Sequence, residues 1–297
     1  MTAAAGVCPS CGFAQNPANP RCLKCKTPLA GLDAPVGAAT ISREGWRALG
    51  LGLLLAAVLT AIPFFRILFF PLITIAHELG HAVVAWIFGR PAVPAFDFAY
   101  GGGVTSIEED QHLSIIVVMY GLMGYAAWRV RRHIPTVVAV AGIIALYSYA
   151  ALTYWNDVLI LAMGHGTELV IAGIFLYRAI SGDAVLQVDE RPAYAMAGLV
   201  ILFHDVGFAW DLSHSEDFRD WYAEGKGGML NDFTRVNLYV RSATVPLLGR
   251  YMLMACGGTV VAAWLAHRYQ DRIATWWDRA VKQDGLAGAP DQAPLSG

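Results

Sequence analysis

The chain has 297 residues, of which 56% are hydrophobic and only 15% are charged. An average soluble domain has about 25% charged residues, so this composition excludes an ordinary soluble enzyme. The mean hydropathy of +0.47 and the long apolar runs predict a polytopic membrane protein with a small polar head. The net charge of −2 offers no basic surface, so we expect no nucleic-acid partner.

The polar head, residues 1–28, contains two Cys-x-x-Cys pairs separated by ten residues. Zinc binds four thiolates tetrahedrally, and a two-residue spacer lets one turn present two sulfur atoms. We therefore predict a structural zinc ribbon, in which the metal replaces a hydrophobic core. Its four ligands close the site, so its expected role is to dock a protein partner or to regulate. The predicted ligands are Cys8, Cys11, Cys22 and Cys25.

The rest of the chain divides by composition. Residues 29–45 are rich in Ala, Gly and Pro, which is typical of a linker. Residues 46–267 contain seven apolar segments, the third of them short, and predict an all-α membrane domain of about six to seven transmembrane helices. The tail, residues 268–297, begins like an amphipathic interfacial helix and then becomes rich in Gly, Ala and Pro, which predicts disorder.

Arginine clusters predict the orientation. They precede the first apolar segment and follow the third, fifth and last, and each favours the cytoplasm. The long acidic loop 211–244 is predicted to lie outside. Two full crossings before the third segment would place Arg129–Arg132 outside, unless residues 91–111, or part of the first two segments, dip into the membrane or cross it. We expect an integral protein of a bacterial inner membrane with the ribbon in the cytoplasm.

The central motif is His-Glu-Leu-Gly-His, from His77 to His81, inside the second apolar segment. On a helix the two histidines share a face, so both imidazoles can bind one zinc. Glu78 can then act as general base on a zinc-activated water. Ionisable groups within a span are costly unless they face a polar interior or a metal. Histidines that only pack against other helices, a haem and a metal transporter are the alternative interpretations.

This motif, with Trp86, Gly89 and the Gly-rich stretch after it, resembles the site-2-protease type of intramembrane zinc metallopeptidase. The resemblance covers about residues 67–128. It implies that His77 and His81 bind a catalytic zinc and that Glu78 is the base in peptide-bond hydrolysis. It also implies a short Gly-rich, strand-like loop after the motif helix, which would hold an unwound substrate by edge pairing. The residues of that loop are Gly101, Gly102, Gly103 and Val104.

A catalytic zinc needs a third protein ligand. The family commonly supplies an Asp in an Asp-Gly pair from a later span, and no apolar segment here contains that pair. His165 and Glu168 in the fifth segment share a helix face, so we predict that one completes the site and the other orients a ligand. Asp157, the pair His204 and Asp205, and a purely interhelical hydrogen bond between His165 and Glu168 are the alternatives.

The leading functional prediction is an intramembrane zinc endopeptidase that hydrolyses a membrane protein or peptide, with one catalytic and one structural zinc. A catalytically degenerate membrane scaffold, whose zinc ribbon recruits partners, is the alternative favoured by the missing Asp-Gly pair. A metal transporter is a third interpretation, but the sequence shows no ladder of metal ligands across several spans.

Overall fold

The structure is a computed structural model that describes residues 6–7, 14–15, 39–98, 102–185, 187–225 and 229–282. The four cysteines of the predicted ribbon lie outside the described residues, as does the tail after residue 282. Of the head, the structure describes a short antiparallel pair, β1 (Gly6–Val7) with β2 (Ala14–Gln15).

Of the residues that the structure describes, 78% are helical. In chain order the helices are α1 (Arg43–Ala61), α2 (Pro63–Ile87), α3 (Leu113–Arg129), α4 (Ile134–Ala151), α5 (Trp155–Ser181), α6 (Arg191–His214), α7 (Glu216–Glu224), α8 (Asp232–Tyr239), α9 (Val245–Arg268) and α10 (Gln270–Lys282). Within the described chain six of them, α1, α2, α4, α5, α6 and α9, are long and apolar enough to cross a membrane, and α3 is a shorter apolar helix. The prediction of an all-α polytopic membrane protein is confirmed.

Several helix ends follow directly from local sequence. The Ser42 hydroxyl accepts the N–H of Gly45 and caps α1. Pro63 starts α2 in the first turn, where its missing N–H costs no hydrogen bond. Gly182 ends α5 with a φ of +72°, the left-handed conformation that stops a helix.

One set of helix ends meets on a single face of the bundle. At the start of α6, the Arg191 guanidinium donates to the Ile180 carbonyl at the end of α5, at 2.6 Å. Gly45, in the first turn of α1, lies against the same guanidinium. Just before α1, the Ala39 N–H donates to the Arg268 carbonyl at the end of α9, at 2.9 Å.

The end of α3 belongs to the same face. The ring of His133, just before α4, lies 6.2 Å from the ring of Trp276 on α10, which directly follows α9. The three arginines at the end of α3 therefore share a face with those at the start of α1. We call this the arginine face. Its arginines include Arg43, Arg47, Arg129, Arg131, Arg132, Arg178, Arg191, Arg268 and Arg272.

The other helix ends meet on the opposite face. The Gln111 side chain donates to the carbonyls of Phe88 at the end of α2 and Ala151 at the end of α4, at 3.1 and 3.2 Å. Arg90 forms an ion pair with Asp157 in the first turn of α5. We call this the acidic face. It carries Glu108, Glu109, Asp110, Glu216, Asp217 and Asp220.

Helices α1 and α2 together carry the chain across the bundle once. Helix α1 begins at the arginine face, whereas α2 ends at the acidic face, with Ile62 between the two helices and Pro71 inside α2. The number of crossings counted from the sequence conflicts with the arginine clusters because that count treats these two segments as two full crossings. Arg129–Arg132 reach the arginine face without a crossing by residues 91–111.

Residues 91–111 instead form a hairpin that begins and ends at the acidic face. Strands β3 (Ala92–Phe96) and β4 (Gly103–Ile107) pair antiparallel, in a register from Ala92 opposite Ile107 to Phe96 opposite Gly103. The His112 N–H donates to the Gly89 carbonyl and closes the base of the hairpin beside the end of α2. Both strands pack along α2, so the start of β4, at Gly103, lies at the level of the His-Glu-Leu-Gly-His motif.

Candidate metal centre

His77 and His81 lie on the face of α2 that packs against α5, and α5 fixes both rings. The Nδ1 atom of His81 lies 2.7 Å from the Ile160 carbonyl oxygen. A carbonyl oxygen only accepts hydrogen bonds, so Nδ1 carries the hydrogen and Nε2 carries the lone pair in the neutral ring. The Nδ1 atom of His77 lies 3.1 Å from Glu168 Oε1 and is oriented in the same way. Both Nε2 atoms are therefore available as metal ligands.

Asp232, the first residue of α8, faces these two nitrogens. Its Oδ2 lies 3.1 Å from Nε2 of His77 and 3.2 Å from Nε2 of His81. Tetrahedral zinc with bonds of about 2.0–2.1 Å separates neighbouring ligand atoms by about 3.3–3.4 Å, so both distances from Oδ2 are close to the required spacing. In neutral imidazoles the Nε2 lone pairs would face the carboxylate, and a shared cation would turn that repulsion into coordination.

The electrostatics of Asp232 agree with this geometry. Burial would raise the pKa of this carboxyl, but its contacts with the imidazoles of His77 and His81 hold the pKa well below its usual range. That lowering is the effect of imidazoles that donate a hydrogen from Nε2; in rings with free Nε2 atoms, a bound cation would take their place and favour the ionised carboxylate in the same way.

Gly164 of α5 keeps the space beside the two nitrogens open. A Cβ atom at this position would lie 2.4 Å from Nε2 of His77 and 2.6 Å from Nε2 of His81. Any other residue would push a methyl group between the two imidazoles. The glycine thus preserves a cradle of the kind that a metal ion needs.

Glu78 is buried and held by the hairpin. Its Oε2 accepts the Thr105 hydroxyl at 2.6 Å, and the same hydroxyl lies 3.0 Å from the Glu78 carbonyl oxygen. Gly103 brings the β4 backbone directly against this side chain, since a Cβ there would lie 2.3 Å from Glu78 Cγ. Strand β4 therefore sets the position of the carboxylate, and Oε1 is left for other partners.

A second polar cluster lies behind His77. Glu168 uses Oε1 for His77 and Oε2 for Nδ1 of His165, at 2.9 Å. Asp205 Oδ1 lies 3.2 Å from the same Nδ1 atom. His165 is enclosed by the rings of Phe208 and Phe233, with centroids at 4.8 and 5.4 Å.

The residues predicted as candidates for the third ligand lie at different positions relative to His77 and His81. Glu168 contacts Nδ1 of His77, the atom opposite the one that Asp232 contacts, so it is placed to orient a ligand. His165 joins Glu168 and Asp205, and His77, His165 and Glu168 form a second grouping of possible metal ligands. Asp157 instead pairs with Arg90.

Of the predicted substrate-binding residues, Gly101 lies outside the described part of the chain. Gly102 precedes β4 with a φ of +91°. Gly103 and Val104 lie in β4, opposite Phe96 and Ala95.

The metal-ligand candidates line a cavity of about 1310 Å³, which Glu78 also lines. The wall is largely apolar, and α1, α2, α6, α7 and the loop before α8 contribute to it. Its aromatic and long aliphatic members include Phe65, Phe69, Phe70, Phe203, Trp221 and Met229.

Sequence reasoning missed Asp232 because it searched for the third ligand inside the apolar segments. Asp232 lies in the polar loop 211–244, where an acidic residue predicts only solvent exposure. A local signal existed: Asn231 is a favourable N-cap, and the buried Phe233 and Val236 give the following short helix an apolar side. A short helix with an apolar side in a polar loop must pack onto something, and here it packs onto α5.

Comparison of the chain with protein-family models, curated proteins and solved structures found no match.

Proposed function

We propose that the protein is an intramembrane zinc endopeptidase that hydrolyses peptide bonds of membrane proteins in a bacterial inner membrane. The observation that carries this proposal is one carboxylate oxygen at 3.1 and 3.2 Å from two imidazole Nε2 atoms, in a group whose ligand atoms all lie within 4.8 Å of one another. Glu78, next to His77 on α2, lines the same cavity. This arrangement supports the resemblance to site-2 proteases and gives the missing third ligand a candidate from outside the spans.

His77, His81 and Asp232 would hold the zinc, which leaves an open position for water. When bound, zinc would supply a Lewis acid that acidifies water and polarises the scissile carbonyl. The proposed ribbon zinc, bound by four thiolates, would have no such open position.

Glu78 is the proposed general base. Its Oε2 is occupied by the Thr105 hydroxyl, so Oε1 takes the proton from the attacking water. The water oxygen bonds to the carbonyl carbon, the C–N bond breaks, and Oε1 returns the proton to the leaving amine nitrogen. Fixing one carboxylate oxygen by β4 orients the other, which keeps the base in one geometry during both transfers.

The hairpin is the proposed substrate-binding element. Within the described residues β3 and β4 pair only with each other, so each strand keeps an open edge. An extended peptide could add to an open edge through main-chain hydrogen bonds. Because β4 contacts Glu78 directly, a peptide paired with the hairpin would lie beside the base.

The predicted zinc ribbon would dock a protein partner at the cytoplasmic side. A catalytically degenerate scaffold is less well supported, because it gives no reason for a carboxylate and two imidazoles to share a half-buried cradle that Gly164 keeps open.

Zinc content of the purified full chain tests the proposal. We expect two zinc ions per chain, one in the ribbon and one in the membrane site, and one in His77→Ala. The exposed His112 lies at the acidic face away from the cradle, so His112→Ala is a matched control and should keep both. Equal zinc content in the unaltered chain and His77→Ala would contradict the proposal.

A further inference from the structure

The two faces of the bundle differ sharply in charge. The described helix ends at the arginine face carry the clusters at the start of α1 and the end of α3, whereas the acidic face carries Glu108–Asp110 and the acids of α7. Lys and Arg beside spans favour the cytoplasm, so the arginine face is the cytoplasmic one by this rule. The sequence also predicts the arginine clusters in the cytoplasm and the loop 211–244 outside. It does not predict which of these two sides is nearer to the His77–His81 motif.

The candidate metal centre lies nearer the acidic face. His77 is ten residues from the end of α2 at that face, or about 15 Å at 1.5 Å per residue. His165 is ten residues from the start of α5 at the same face and sixteen from its end at the arginine face, or about 15 and 24 Å. Two independent helices thus place the site at the same depth.

The parts of the site outside the long membrane helices also come from the acidic face. The hairpin that holds Glu78 begins and ends there. Asp232 belongs to the segment between α6 and α9, which leaves α6 at the acidic face and returns to α9 there. Three polar residues of this segment line the cavity: Glu224, Asn231 and Arg235. The polar part of the cavity wall therefore lies toward the acidic face.

We propose that the site opens to the extracytoplasmic face and cuts the outer half of a membrane-spanning substrate segment. The cytoplasmic product would then keep most of the membrane span. The extracytoplasmic product would leave on the outer side. The cleavage position rests on the proposed endopeptidase function, whereas the side on which the site opens does not.

Cysteine labelling tests the side directly. Met229 is 51% exposed and lines the cavity, and Arg131 is exposed on the arginine face. The full chain with Met229→Cys or Arg131→Cys is produced in a bacterial host and treated in intact spheroplasts with a membrane-impermeant maleimide. The unaltered chain gives the background from the five native cysteines.

We expect at least tenfold more labelling of Met229→Cys than of the unaltered chain in intact spheroplasts, and labelling of Arg131→Cys only after permeabilisation. The reverse pattern, or equal labelling of both variants, would overturn the inference. Helix content by circular dichroism should match the unaltered chain in both variants, which shows that the fold is kept.

A cleavage assay separates this inference from the proposed function. A single-span reporter protein with a soluble tag on each side is produced together with the full chain, and the fragments are sized by mass spectrometry. A cut in the outer half of the span supports the inference, and a cut in the inner half overturns it while the function stands. An uncut reporter counts against the proposed function, and the labelling result still decides the side.

Discussion

The two polar clusters of the membrane domain have similar chemistry, but their carboxylates differ in exposure: the Asp232 side chain is 23% exposed. The cradle of His77, His81 and Asp232 borders the cavity, and its carboxylate comes from a loop helix. In the cluster of His165, Glu168 and Asp205 both carboxylates are almost fully buried, at 1% and 0% exposure. An open position for water is needed at a catalytic metal and is useless at a group that only orients a ligand. The comparison therefore favours the first cluster as the proposed metal site and the second as the group that orients its ligands.

Asp232→Ala should have the largest effect. It removes the only carboxylate that faces both Nε2 atoms among the described residues, so two imidazoles alone would have to hold the ion. We expect zinc affinity of the membrane site to fall by more than about 100-fold, beyond the range for residues that only orient a ligand, with loss of reporter cleavage. Isothermal titration with zinc measures it. Unchanged affinity would assign the third ligand to the buried cluster instead.

Gly164→Ala tests the cradle without touching a ligand. Its Cβ would lie within 2.6 Å of both Nε2 atoms, closer than non-bonded atoms can approach. We expect the membrane-site zinc to be lost while the helices still form, measured as zinc content beside circular dichroism. Gly142→Ala on α4, where a Cβ meets nothing, is the matched control. If Gly164→Ala keeps its zinc, the cradle lies elsewhere.

Glu78→Gln should abolish chemistry and spare the metal. General-base catalysis contributes about 10²–10⁴-fold to rate, so we expect reporter cleavage to fall by that factor with zinc content unchanged. The amide keeps the volume of the side chain and still accepts the Thr105 hydroxyl. Cleavage at the original rate would remove Glu78 from the mechanism.

Glu168→Gln sharpens the distinction between the clusters. The variant keeps volume but loses the charge that orients His77 and His165. Residues that orient metal ligands typically contribute 10–100-fold to affinity, so we expect a loss of about that size, smaller than for Asp232→Ala. A loss equal to that of Asp232→Ala would make Glu168 a ligand rather than a support.

Sequence reasoning predicted the elements that depend on local pattern and missed those that depend on long-range packing. The spacing of His77 and His81 predicts a shared helix face, and the structure places both on one. Asp232 reaches them from 151 positions beyond His81 in the chain. No periodicity connects such residues, because the contact exists only after α8 packs onto α5.

The crossing of α1 and α2 shows the same limit. Hydropathy counts each apolar segment of sufficient length as a span, and both segments qualify. Their end points depend on contacts made elsewhere, by Arg191 at one face and Gln111 at the other. The arginine clusters contained the needed information, since all of them favoured one side, and that signal was more reliable than the count of segments.

Tyr222→Phe should have the smallest effect and tests how the loop presents Asp232. The Tyr222 hydroxyl accepts the Phe233 N–H at 3.2 Å, and the Asn231 side chain donates to the Tyr222 carbonyl at 2.6 Å. Burial raises the pKa of Tyr222, so the phenol stays protonated. Removing a helix cap costs about 1 kcal/mol, which corresponds to about a fivefold loss of zinc affinity if α8 is fixed mainly by this bond.

The absorption spectrum of the cobalt-loaded full chain distinguishes positioning from general destabilisation, because cobalt bands report the ligands that surround the ion. Tyr222→Phe should shift the membrane-site bands toward those of Asp232→Ala. Tyr239→Phe is the matched control: Tyr239 ends the same helix, and its ring stacks on Tyr154. It should leave the bands unchanged. If both variants shift the bands equally, packing of α8 as a whole holds Asp232, and the bond from Phe233 to Tyr222 has no separate role.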